Sequence, residues 1–399
     1  MLQNWKTYKL RDVLQIKNGK TKPKYEGQYP IYGGNGILGY GNVANLNEEA
    51  ILIGRVGAYC GAVYYENREI WVSDNSLFGI AKDGFDTKYL FYLLKWADLN
   101  RFATGSSQPL LTQGALNVLE YEIPISLPEQ HSIASILSAL DDKIELNLQM
   151  NKTLEEMAMT LYEHWFVDFG PFQSGEFVDS ELGMIPKGWE VKRLGDIVDV
   201  GSSNRIFLKE YVENGIPFYR GKEIIQLSKG MNISTELFIT NERFKEIKNK
   251  SGVPLKDDIL ISSVGTIGVS WLVENNDPFY FKDGNLTWIK NYNERVNGNF
   301  ISQWLKSNET QEQIKSETIG STQQALTISA LRTLKIILPP NNSSIIQDVS
   351  IRFCLWNELL LSNKMEIQTL TTLRDTLLPK LISGEVRVKE AKKILEEAI

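Results

Sequence analysis

Chemically reactive side chains are scarce in this 399-residue sequence, which has two cysteines, Cys60 and Cys354, and two histidines, His131 and His164. The thiols stand at unrelated points, so there is no disulfide framework. Two free thiols in a reducing cytoplasm is the preferred reading, with a single disulfide left open. Both histidines fall on one helical pattern, so Cys/His spacing for zinc is missing, and so is a histidine base for a nucleophile triad. No stretch approaches the roughly 18 unbroken apolar residues of a membrane span. Met1 to Arg11 has no apolar run behind a basic start, so no signal peptide is expected. An excess of positive charge is also lacking. The net charge of −6 argues against a nonspecific polyanion binder, although a local basic face can work on an acidic protein.

Familiar catalytic motifs fail in context. Gly34-Asn35-Gly36-Ile37-Leu38-Gly39 matches GxGxxG, but Tyr40-Gly41-Asn42 follows where a helix should begin, and no acid lies about 20 residues on at a strand end. A glycine-rich turn is the better reading. There is no Gly-x4-Gly-Lys-Ser/Thr loop for ATP. Leu338-Pro339-Pro340-Asn341 carries the Asn-Pro-Pro motif of amino-methyltransferases only in reversed order. The paired acids Asp141-Asp142 and Asp257-Asp258 read as ordinary surface or turn charges. No catalytic site and no metal site is expected in the chain.

What the sequence does have is a repeat. Trp5-Lys6-Thr7-Tyr8-Lys9-Leu10 is matched by Trp189-Glu190-Val191-Lys192-Arg193-Leu194, and Ile51-Leu52-Ile53 with Val56-Gly57 by Ile259-Leu260-Ile261 with Val264-Gly265. Gly105-Ser106-Ser107-Gln108 with Leu111-Thr112 returns as Gly320-Ser321-Thr322-Gln323 with Leu326-Thr327. The spacing drifts upward along the chain, so the second copy carries insertions. A period of about 200 residues is too long for a solenoid. It means two copies of one module, with an internal pseudo-twofold. Each module reads as α+β. Strands are expected at Ala50 to Ile53, Ala62 to Tyr65, Asp258 to Ile261 and Ser270 to Val273, and helices at Lys88 to Asn100 and Phe300 to Ser307.

A long helical pattern follows each module. Ile133, Leu137, Leu140, Ile144, Asn147, Asn151, Leu154, Ala158, Leu161 and Trp165 alternate steps of 4 and 3. Val349, Phe353, Trp356, Leu360, Asn363, Ile367, Leu370, Arg374, Leu377 and Leu381 repeat them at one constant offset, with a break at Arg374. Alternating 4 and 3 is a heptad, so each helix offers a coiled-coil seam. A rod on the order of 50 Å follows. Two such seams most simply bury each other, antiparallel if the repeat has a twofold. Ordinary helix-bundle core is the competing explanation. Asn147 and Asn363 are either buried, fixing register at a cost in stability, or simply solvated.

The remaining chemistry is that of binding. Lys17, Lys20, Lys22 and Lys24 crowd one loop. Arg205, Arg220 and Lys222 surround Tyr219, and Lys245, Lys248 and Lys250 form another cluster. Such cations contact phosphates, as Arg55 could, or they are solvated surface charges. Ser106, Ser107 and Gln108, with Ser321, Thr322 and Gln323, suit base hydrogen bonds. They also suit a cap over a helix at Leu110 to Leu119, the preferred of the two readings.

The order of four signposts resembles the specificity, or DNA-recognition, subunits of type I restriction-modification enzymes. Leu127-Pro128-Glu129-Gln130 opens the first helix, and Trp165-Phe166-Val167-Asp168-Phe169 closes it. Ile185-Pro186-Lys187-Gly188-Trp189-Glu190 opens the second module, and Leu377-Leu378-Pro379-Lys380-Leu381-Ile382-Ser383-Gly384-Glu385-Val386 closes the second helix. Tyr29-Pro30-Ile31-Tyr32-Gly33-Gly34-Asn35-Gly36 is similar to a loop of their recognition domains. Pro339-Pro340-Asn341-Asn342 departs from the Leu-Pro-Glu-Gln pattern, which leaves the start of the second helix open. The resemblance implies target-recognition domains at 1–128 and 189–340, long helices at 129–170 and 341–385, a linker at 171–188 and a tail at 386–399, whose short, charged pattern reads as helical. It further implies a noncatalytic reader of a split, asymmetric double-stranded DNA target. Two copies of a methyltransferase subunit using S-adenosylmethionine, and an ATP-dependent restriction subunit, are the expected partners, with no cofactor in this chain and no membrane. The alternative is a coiled-coil scaffold spacing two protein- or glycan-binding modules.

Overall fold

The computed structural model describes residues 4–23, 26–105, 108–231, 233–318 and 324–398. The first module is built on an antiparallel four-stranded sheet in the order Leu14–Asn18, Ser76–Ala81, Ala50–Gly54, Val63–Glu66. Ala50–Gly54 is apolar at nearly every position because it pairs on both edges and is buried on both faces. A smaller sheet joins Tyr29–Gly33 antiparallel to Gly36–Gly41 and parallel to Trp71–Val72. The Gly34-Asn35 turn between its first two strands is the GxGxxG segment. Gly36 sits at φ +78°, a backbone that favours glycine. A strand follows it instead of a helix, which settles the turn reading. Trp5–Lys9 pairs with Glu120–Pro124 and ties the two ends of the module together.

The second module repeats this plan with an additional strand, Tyr211–Val212, at the edge of its smaller sheet. Its main sheet runs Asp199–Gly201, Leu286–Lys290, Ile259–Ser262, Ser270–Leu272, and Glu190–Arg193 pairs with Lys335–Leu338 to close the module. The smaller sheet again contains one parallel pair, Ile216–Tyr219 with Tyr280–Phe281. Helices Gly221–Ser228, Asn241–Ser251 and Asn308–Glu317 have no counterpart among the described residues of the first module, and they account for the drift in repeat spacing.

The long helices are Leu127–Phe166 and Ile345–Ile382. The second therefore starts after Ser343-Ser344, later than the Leu-Pro-Glu-Gln pattern would place it. The compact units cut across both helices, being residues 1–147 with 366–399, and residues 148–365. In the first unit Ile133, Leu137, Leu140 and Ile144 share a core with Leu370, Leu377 and Leu381. In the second, Leu161 and Trp165 pack on the core that buries Ala158, Val349 and Phe353, with Trp356 half-buried at its edge. Leu154 is buried, and Leu360 half-buried. The pairing is antiparallel in both units, because partners fall in number along one helix as they rise along the other. Asn147 Nδ2 donates to Glu366 Oε2 at 2.8 Å and Arg374 Nη1 to Asp141 Oδ1 at 2.8 Å, while Asn363 Nδ2 donates to Asn151 Oδ1 at 2.8 Å. Asn147 and Asn363 are 0% and 5% exposed, so the solvated reading is wrong for both.

Three expectations need correction. Asp141 is no free surface charge. It receives Arg374 and the Tyr92 hydroxyl at 2.9 Å, so the seam break at Arg374 is filled by an ion pair tied to the first module. Asp258 is buried. It accepts Trp288 Nε1 at 2.9 Å and the Leu255 N–H, and burial pushes its carboxyl up. The linker folds as a hairpin, Phe177–Ser180 with Gly183–Pro186, whose Ile185 joins the second core. The tail forms the helix its sequence predicts, Val388–Ala398, with Ala391 buried and Val388 and Leu395 packed on the first core. Arg387 anchors that helix to Glu129 at 3.0 Å. Ending the chain at Glu385 should therefore cost the first unit about 2 kcal/mol, seen as a lower thermal midpoint by calorimetry. An unchanged midpoint would mean that the tail only rests on the surface.

Candidate nucleic-acid interface

The central strand of each main sheet runs out into a loop, Arg55-Val56-Gly57 after Ala50–Gly54 and Ser263-Val264-Gly265 after Ile259–Ser262. The same backbone bonds hold both loops. The Arg55 N–H donates to the Asn75 carbonyl at 3.0 Å, and the Arg55 carbonyl accepts from the Leu111 N–H at 2.9 Å. The Ser263 N–H donates to the Asn285 carbonyl at 2.9 Å, and the Ser263 carbonyl accepts from the Leu326 N–H at 2.9 Å. One residue on, Val56 bridges Leu110 and Val264 bridges Ala325. Both modules thus fix one cradle and present different side chains from it.

In the first module this end of the sheet gathers several loops. A Cβ on Gly54 would lie 2.6 Å from the Gly34 carbonyl and 2.3 Å from that of Tyr59, so the glycine permits the Gly34-Asn35 turn to close on the strand end. Gly57 N–H donates to the Pro109 carbonyl at 3.1 Å, and Thr104 and Leu110 exchange bonds across the stem of the 104–110 loop. Exposed Ile37, Leu38, Tyr40 and Tyr59 stand on these same segments. Sequence reasoning passed over them, although apolar side chains beside glycine turns were the available signal.

The predicted contact residues divide unevenly. Lys20, Lys22 and Gln108 are exposed, and Arg55 is half-buried close to Gln108's loop. Lys24, Ser106, Ser107, Ser321, Thr322 and Gln323 lie outside the described residues. Arg205 is exposed, over the Phe207 ring and 3.9 Å from Asp283, and Lys222 is exposed. Arg220 is drawn inward. Its guanidinium bonds Glu223, which is 1% exposed, at 2.7 Å. Burial alone would raise the Glu223 carboxyl, but Arg220's guanidinium and backbone N–H outweigh it and hold the carboxyl below the usual range. The first module has a similar pair. Glu66 takes Arg68 at 2.6 Å and the Tyr32 hydroxyl at 3.0 Å, and burial with Glu66 pushes that hydroxyl up to about 12.

The capping expectation is also corrected. The helix after the Gly-Ser-Ser-Gln segment is short, Gln113–Asn117, and Thr112 caps it by accepting the Ala115 N–H at 3.1 Å. Thr327 does the same for Ile328–Thr333 at 3.0 Å. The repeated Leu-Thr supplies the side-chain cap of both helices.

Sequence comparison resolves which family uses this arrangement. The type I restriction modification DNA specificity domain matches residues 3–156 and again 186–351. The chain belongs to the type I restriction-modification specificity subunits. It is 30% identical to the MjaIX type I restriction enzyme specificity subunit of Methanocaldococcus jannaschii, over 97% of this chain and 95% of the relative. It is 24% identical to the HindI specificity subunit of Haemophilus influenzae, over 70% and 71%. A crystal structure of the type I S subunit from M. genitalium shares the fold, with a TM-score of 0.66 at 21% identity over 95% of this chain and 96% of that one. DNA target recognition is therefore the work of this specificity subunit. Among the described residues no helix is long and apolar enough to cross a membrane, and no group of three or more His, Cys, Asp or Glu is placed to hold a metal ion.

The buried pair in the specificity subunit's second module gives a pH-dependent expectation. Glu223→Gln should destabilise that module by about 1–2 kcal/mol at pH 7, less than a fully buried pair because Arg220 keeps 41% of its side chain exposed. A depressed folded pKa stabilises above the unfolded value and loses that contribution as pH falls through the folded one. The gap between wild type and variant should therefore close below pH 4.5. Urea melts from pH 3 to pH 7 measure it, and a gap that is the same throughout would contradict the assignment.

Proposed function

We propose that the chain reads a split, asymmetric DNA sequence, one half by each module, and positions adenine methyltransferase subunits on it. The observation that carries this reading is the cradle common to both modules, with Arg55 in one and Ser263 in the other. A shared scaffold with different displayed side chains supports two unlike half-sites in preference to a palindrome. Lys20, Lys22, Lys24 and Arg205 are then phosphate contacts, and Ser106, Ser107, Gln108, Ser321, Thr322 and Gln323 supply hydrogen bonds to base edges. The recognition domains are residues 1–128 and 189–340.

Catalysis belongs to partners in this reading. Two methyltransferase copies, one for each half of the repeat, would take the methyl group from S-adenosylmethionine, and each target adenine must leave the stack to be modified. An ATP-dependent restriction subunit would complete the system. The two long helices set the gap between the half-sites. A scaffold spacing protein- or glycan-binding modules is the rival reading, and it predicts no salt-dependent affinity for DNA.

Co-expression with the methyltransferase subunit and mapping of methylated adenines across the host genome tests the function. One split motif with a fixed gap is expected. Removing one heptad from each long helix should alter that gap or abolish methylation while leaving both half-sequences readable. Altered half-sequences, or no methylation from soluble and associated proteins, would contradict the proposal.

A further inference from the structure

We propose that Arg55 reads a guanine in one half of the target, an assignment that rests on the DNA-reading function above. Arg55 is pinned on both sides of its backbone, by Asn75 and Leu111, and its carbonyl also accepts the Cys60 thiol at 3.2 Å. The residue therefore leaves the end of the central strand with little freedom, as a base-reading side chain requires.

Its guanidinium is unusual among the arginines of this module. Arg11 and Arg68 face carboxylates and Arg101 lies over the Phe102 ring. Arg55 is half-buried, and its Nε is shielded from solvent with no hydrogen-bond partner among the described residues. An arginine withdrawn from water without an acceptor is costly. The equivalent Ser263 shows that the cradle does not need it. Ser263 is 4% exposed, and its hydroxyl is satisfied by Thr287 Oγ1 at 2.7 Å. The same cradle thus holds a satisfied small residue in one module and, in the other, a planar fork whose shielded Nε has no partner among the described residues. The acceptors matching that fork are O6 and N7 of guanine in the major groove. A phosphate would serve both modules alike, whereas a change of side chain at one fixed point is what distinguishes two half-sites.

The test uses the full chain with its methyltransferase subunit and duplexes bearing the methylated motif, each guanine replaced in turn by 7-deazaguanine, which lacks the N7 acceptor. For wild type, one guanine in one half-site should weaken binding by about tenfold when replaced. Arg55→Ala and Arg55→Met, which keep no side-chain donor, should bind normal and substituted duplexes nearly alike, while guanines of the other half behave as in wild type. Ser263→Ala should leave the sensitive guanine sensitive. Should Arg55→Ala fail to fold, the wild-type scan and Arg55→Met still decide. No sensitive guanine, or a sensitivity that survives in both Arg55 variants, overturns the assignment. A uniform loss of affinity in the Arg55 variants with a shallower salt dependence makes Arg55 a phosphate contact, which also overturns it. A wild-type chain that binds no split motif instead defeats the DNA-reading function itself, and this assignment with it.

Discussion

Everything in this chain depends on two apolar seams that cannot stay in water alone. Each long helix carries an apolar seam that water would not tolerate, so neither helix is stable without a partner. The partner is the other helix, antiparallel. That choice makes the first compact unit discontinuous in sequence, since 1–147 is completed by 366–399, while the second is the unbroken segment 148–365. The tail helix follows from the same constraint. The chain has returned to the first unit by Ile382, and Val388, Ala391 and Leu395 cover part of the core that it finds there.

Polar groups in the seams give the pairing its register. Asn147 meets Glu366 while Asn363 meets Asn151, so the two equivalent asparagines find different partners. Arg374, the one sequence break in the pattern, is met by Asp141, which also holds Tyr92 of the first module. Sliding either helix by a turn would strand these groups among leucines and isoleucines, where an unpaired polar atom is expensive. The apolar stripe supplies the attraction, and the buried polar pairs select one alignment.

The helices and the repeat were legible because both are written in spacing, which survives without coordinates. The strand Ala50–Gly54 was legible for a similar reason, since a short apolar run between turns has few alternatives. Roles that depend on a distant partner were not. Asp141 and Asp258 look like any acidic pair until Arg374 and Trp288 arrive from residues far along the chain. Arg220 looks like a free cation until Glu223 folds back one helical turn to take it. In the candidate interface, sequence could not separate a cap from a contact. Thr112 and Thr327 make that separation by satisfying the helix ends themselves. The acidic total charge is likewise no guide to the local surface, because most of the other arginines already face carboxylates.

Cross-linking of the seam tests the central claim most directly. A chain with Cys60→Ser and Cys354→Ser, carrying Asn151→Cys and Asn363→Cys, would be oxidised mildly and analysed by mass spectrometry under non-reducing conditions. Antiparallel pairing in this register predicts a disulfide within one chain, formed at high yield and independent of protein concentration. Free thiols after oxidation, or a bond only between two chains that grows with concentration, would contradict the helix pairing on which the rest of the account stands.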